Sequence, residues 1–126
     1  MYHTALAEIR SGRKRTHWMW FVFPQIDGLG SSATSSHFAI KSAAEARAYL
    51  AHPILGPRLR ECCEALLTLK TQSATEVFAS PDDMKLRSCA TLFAAVSGPG
   101  SLFEHVLGRF FEGGRDARTL ELLKAE

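Results

Sequence analysis

RSGRKRTHWMWFVFPQIDGLG, residues 10–30, sets the basic triplet Arg13, Lys14 and Arg15 directly against the most aromatic run in the chain, His17, Trp18, Trp20, Phe21 and Phe23. Both tryptophans of the protein are in this stretch. Trp and Phe side chains dominate core and interface energetics, so a run this bulky is either buried or serves as a binding wall. Trp18 and Trp20 lie two apart, which places them on one face of a strand but on diverging faces of a helix. Pro24 biases Phe23 toward an extended conformation. A short helix ending there and an extended segment are both open.

Around this stretch, turn signals cut the chain into helical pieces. Thr4 to Ser11 reads as a helix with Ala5, Leu6 and Ile9 on one face, ended by Gly12. Asp27–Ser32 (DGLGSS) reads as a loop, and Ser32–Ile40 as room for a short helix. Ser42–Glu45 has the form of a capping box and predicts a helix through Ala51. Pro53 is placed for the first turn of the next helix, which runs to about Leu69 with Leu55, Leu59, Cys62, Leu66 and Leu69 as its core face. Gly56-Pro57 would kink or delay it. Ser73–Glu76 is a second capping box, opening a single turn that ends near Ala79. Ser80, Pro81, Asp82 and Asp83 combine an N-cap, a first-position proline and first-turn acids. They predict a helix to about Ser97 with Leu86, Cys89, Ala90, Phe93 and Val96 inward. Ser101–Glu104 is a third box, before a helix to Phe111, and Asp116 caps a last one. No stretch alternates apolar and polar residues between hairpin turns. The fold class expected is all-α, a single compact domain spanning residues 1–126, with six to eight short helices and no sheet.

With 126 residues, 46% of them hydrophobic and 22% charged, the chain has the size and balance of one globular domain. Its net charge of +2 is too small a bias to argue for nucleic acid as a partner. The longest apolar run, Trp18–Pro24, is far short of the roughly 20 residues of a membrane span. The N-terminal residues show no secretory signal. Three cysteines, with Cys62 and Cys63 adjacent and Cys89 apart, argue against a disulfide framework and for a cytoplasmic location. Cys62 and Cys89 fall on predicted core faces, and Cys63 is the least settled. The five histidines show no paired ligand spacing and there is no C-x-x-C, so no metal site is expected. Neither a Gly-rich phosphate loop nor a nucleophile elbow is present, and no cofactor is implied.

The candidate ligand-binding residues fall in two patches. In the first, Arg13 and Lys14 can meet a phosphate or carboxylate, Trp18 or Trp20 can stack on a ring, and the Gln25 amide can read a polar edge. His17, between the basic and aromatic runs, can act as a general base or phosphate ligand. The competing readings are a solvated loop for the cations, core packing for the tryptophans and capping roles for His17 and Gln25. The second patch is Asp82-Asp83-Met84-Lys85-Leu86-Arg87-Ser88, where Lys85 and Ser88 share a helix face and Arg87 adjoins them. It can close an anion pocket against residues 13–25, or Asp82 or Asp83 can instead salt-bridge the Arg13 cluster.

The segments ALAEIRSGRKRTHWMWFVFPQIDGLG, EARAYLAHPILGPRLRECCEALL and SPDDMKLRSCATLFAAV resemble the bacterial family catalogued as domain of unknown function 1810. The resemblance covers nearly the whole chain, with WMWFVFPQ and SPDDMKLRS its most specific parts. It implies an all-helical cytoplasmic fold and no settled activity. It also implies one more helix ahead of the position of Tyr2, which this sequence lacks, so the packing of the first helix is in question.

Two functional readings follow. One is a non-catalytic module whose basic-aromatic cleft binds an anionic or nucleotide-like ligand, a phosphate-bearing small molecule, or a protein partner. The alternative is a small enzyme hydrolysing an N-glycosidic bond of a nucleotide or ADP-ribose-type substrate. Arg13, Lys14, Lys85 and Arg87 would then hold phosphates, with Asp82, Asp83 or Glu45 acting on water and His17 as a further catalytic candidate. Glu45–Pro53 (EARAYLAHP) resembles a helix-and-His-Pro segment of the NADAR-type glycosidases that act on ADP-ribosylated guanine. The match is short and assigns no residue a role. A carboxylate facing the cleft is what separates the two readings.

Overall fold

A computed structural model of the protein describes residues 1–30 and 33–126. Among the described residues there are nine α-helices and no strand. The helices are α1 (Tyr2–Ser11), α2 (Met19–Val22), α3 (Ala33–Phe38), α4 (Ala43–Ala51), α5 (Leu55–Leu67), α6 (Ala74–Phe78), α7 (Asp82–Ser97), α8 (Leu102–Phe111) and α9 (Ala117–Lys124). The all-helical class holds, with one helix more than the upper count expected, because both open segments are helical. The aromatic run contributes α2 and the Ser32–Ile40 stretch contributes α3; Ser31 and Ser32 themselves lie outside the described residues. An isolated parallel bridge between Ile26 and Ile40 is the one extended pairing among the described residues.

Of the three expected capping boxes, one closes in both directions. Ser73 accepts the Glu76 N–H at 3.0 Å and Glu76 accepts the Ser73 N–H at 2.8 Å. In the other two the serine caps as expected, but the glutamate reaches one residue further back. Glu45 accepts the Lys41 N–H and Glu104 accepts that of Gly100.

Three starts differ from expectation, the first being α1, which begins at Tyr2 rather than Thr4. α5 begins at Leu55 rather than at Pro53, because the His52 imidazole Nδ1 accepts the N–H groups of both Ile54 and Leu55 at 3.1 Å. Pro57 then occupies the first turn, where its missing N–H costs no bond. Gly56 is required there: a Cβ at this position would lie 2.1 Å from the Leu50 carbonyl oxygen. α7 begins at Asp82 with Pro81, not Ser80, preceding it and without a side-chain cap.

α7 is the central element, packed against α8, α4, α6, α9 and α2. This surround explains why it buries Ser88, Thr91, Leu92 and Ala94 beyond the stripe expected from periodicity. α5 packs on α8, α1 and α4. Leu55, expected in the core, is instead 38% exposed, while Leu59, Cys62 and Leu66 are buried as expected. No helix among the described residues is long and apolar enough to cross a membrane.

Candidate functional site

Gly12 ends α1 in the left-handed conformation (φ 84°) and turns the chain back across Glu8. The Glu8 carboxylate accepts four hydrogen bonds: from the N–H groups of Arg15 (2.7 Å) and Thr16 (3.0 Å), the Thr16 hydroxyl (2.7 Å) and the Trp18 indole (2.9 Å). Burial works to raise its pKa, but these bonds to the charged form outweigh it and hold the carboxyl at about 2. The basic loop is thereby wrapped around the Glu8 carboxylate, and Trp18 is aimed inward. It is fully buried against Phe23 and Phe78. Sequence reading did not single out Glu8. The signal was an acid in the last turn of a helix, where the macrodipole favours a cation.

The two patches expected to face each other do meet, through ion pairs. Lys14 lies 3.0 Å and Lys85 3.1 Å from the Asp82 carboxylate, and the Lys14 side chain is only 8% exposed. Its ammonium also sits 5.3 Å from the Trp18 ring centroid. Burial opposes the charge on Asp82, yet hydrogen bonding and attraction from both lysines bring its pKa below the ordinary value. The position available to a bound anion is therefore held by the protein's own carboxylate. Asp83 is buried and accepts from the Thr75 hydroxyl (2.7 Å) and the Met84 N–H (2.8 Å).

Arg87 is turned away from this region. Its guanidinium donates to the carbonyls of Gly114 (2.9 Å) and Arg115 (3.2 Å) and fastens the α8–α9 turn. Ser88 is buried and donates to the Met84 carbonyl one turn back. Arg13, Arg15 and His17 are exposed, and neither arginine forms an ion pair among the described residues. Arg13 and Lys14 border an open depression whose rim also carries Glu76.

The other half of the aromatic run opens onto a different feature. An apolar groove enclosing about 640 Å³, including its open mouth, is walled by Trp20, Phe21 and Pro24 of the run and by Phe38 at the end of α3. Tyr2, Tyr49, Leu55, Arg58 and Leu59 complete it from α1, α4 and α5. Phe21 and Phe38 meet edge to face at 5.9 Å. Phe21 is 42% exposed, and Ile54, which immediately precedes Leu55, is 53% exposed. Trp20 and Phe38 also wall a small polar cleft on the Gln25, Asp27 and Ser36 side, with room for about a single water. Two-residue spacing across a short helix thus sends Trp18 to the core and Trp20 to the groove. Gln25 lies at the cleft, apart from the basic patch.

Arg58 stacks over the Tyr2 ring at 4.6 Å, and the Tyr2 hydroxyl donates to Glu61. Burial, and hydrogen bonding to Glu61, push the Tyr2 phenol pKa upward, so it stays neutral. The three thiols are free and buried. Burial pushes Cys62 up to about 12 and raises Cys63 and Cys89 as well, which leaves none poised as a nucleophile. No cluster of three His, Cys, Asp or Glu side chains able to hold a metal occurs among the described residues.

A family model described as a protein of unknown function (DUF1810) matches residues 1–123. The crystal structure of a conserved hypothetical protein, Rv1873, from Mycobacterium tuberculosis is similar over 98% of this chain and 88% of that one. The two share 47% identity and superpose with a TM-score of 0.95. No match was found among curated proteins.

Proposed function

The chain belongs to the DUF1810 family of proteins of unknown function, and from that premise we propose that it is a non-catalytic binding domain whose site is the apolar groove beside Trp20. One observation carries this reading: a concave surface walled by Trp20, Phe21, Phe38 and Leu55 stays open while the rest of the aromatic run is packed. Apolar concavities with few polar groups are the usual form of small-molecule sites. The basic loop supports the same choice. Lys14 and Lys85, the cations expected to close an anion pocket, are both paired with Asp82.

Hydrolysis has less support. No acidic side chain lines the groove among the described residues, and Asp82, Asp83 and Glu45 are each engaged by a lysine, a hydroxyl or a backbone N–H. Residence in the cytoplasm belongs to the same proposal, supported by three cysteines that remain free thiols.

The test is a titration of the protein with an environment-sensitive apolar dye. A saturable fluorescence rise is expected, abolished by Leu55→Asp and unchanged by the Arg13→Ala/Lys85→Ala double substitution. Loss of the signal in the double variant alone would place the site at the basic loop and refute the reading.

A further inference from the structure

We propose that Arg58 makes this groove selective for apolar monoanions, a carboxylate carried on a body of one or two rings. The inference rests on the groove being a ligand site and adds the class of ligand. Arg58 is the one charged side chain among the described residues that line the groove. It forms no ion pair and donates no side-chain hydrogen bond among the described residues. Two other arginines near it in the fold are engaged: Arg10 faces Glu61 and Arg60 donates to the Leu50 carbonyl.

The way Arg58 is held favours a planar acid. Its guanidinium carbon lies 4.6 Å from the Tyr2 ring centroid, a cation–π contact that spends none of its N–H groups on an acceptor. The ring is itself fixed by the Tyr2 hydroxyl bonding to Glu61, so the fork is oriented before a ligand arrives. A carboxylate can then be met by two parallel N–H···O bonds while its apolar body lies against Trp20, Phe21 and Leu55. One cation balances one negative charge. A nucleotide would bring several charges to a wall that has a single counter-charge.

Isothermal titration with 1-naphthoate and its neutral isostere 1-naphthamide tests this. The acid is expected to bind about tenfold more tightly than the amide, the scale of a charge-assisted pair. High salt should weaken the acid and spare the amide. Arg58→Met should bind the two equally, and Arg58→Lys, which keeps the charge and loses the fork, should fall between. If the amide binds and the acid is no tighter at low salt in the unmodified protein, the role given to Arg58 is overturned and the groove reading stands. If neither binds, both fall. A dimer that Leu55→Asp dissociates, with neither ligand taken up, would make a second copy the occupant and overturn the inference.

Discussion

The Glu8 carboxylate accepts the indole N–H of Trp18 at 2.9 Å while also accepting two backbone N–H groups and a hydroxyl from the loop between them. This contact separates the two tryptophans. With Trp18 pinned beneath the loop, the next turn of chain carries Trp20 to the groove.

Glu8→Gln is expected to cost about 1–3 kcal/mol at neutral pH, the scale for hydrogen bonds to a charged group. The pH dependence has a fixed sign. The folded-state pKa, about 2, lies below the ordinary value of 4.5, so the contribution is fully present above the unfolded value and is lost as pH falls toward 2. Urea melts should show the gap between the unmodified protein and Glu8→Gln closing over that window. A gap that does not change with pH would contradict the assignment.

Asp82→Asn should destabilise more than Lys14→Met. The first leaves the nearly buried Lys14 ammonium without its partner, at about 2 kcal/mol after allowance for the partly exposed Lys85 side of the pair. The second leaves Asp82 still paired with Lys85 and should cost about 1 kcal/mol or less. Thermal denaturation of the two variants gives the order.

Much of the helical frame was legible from local chemistry. Ser42, Ser73, Ser101 and Asp116 cap their helices as their positions suggest. The site was less legible, because its contacts join distant residues. Lys14 and Asp82 are far apart in sequence, and either could equally have met a ligand. Leu55 follows the helical spacing of Leu59, Cys62 and Leu66, yet it is 38% exposed and lines the open groove. Arg87 reads as a phosphate-holding cation of the second patch, yet it spends its donors on two carbonyls of a turn. The groove draws on α1, α2, α3, α4 and α5 and has no motif of its own.

The two tryptophans should be separable by quenching. Trp20→Phe leaves a blue-shifted emission that acrylamide barely quenches, because Trp18 is fully buried. Trp18→Phe leaves a quenchable emission and costs on the order of 2 kcal/mol through lost packing and the lost bond to Glu8.

The three buried thiols should resist a thiol reagent at mildly alkaline pH in the folded protein and react together after denaturation. Rapid reaction of any one in the folded state would refute the packing described around α5 and α7.

The most direct test of the groove as the binding site is a map of amide chemical shifts in the ¹⁵N-labelled protein as 1-naphthoate is added. Shifts are expected to concentrate at Trp20, Phe21, Phe38, Leu55 and Arg58, with Arg13, Lys14 and Lys85 unmoved. Shifts centred on Arg13, Lys14 and Lys85, with Trp20 and Leu55 unmoved, would contradict this placement of the site.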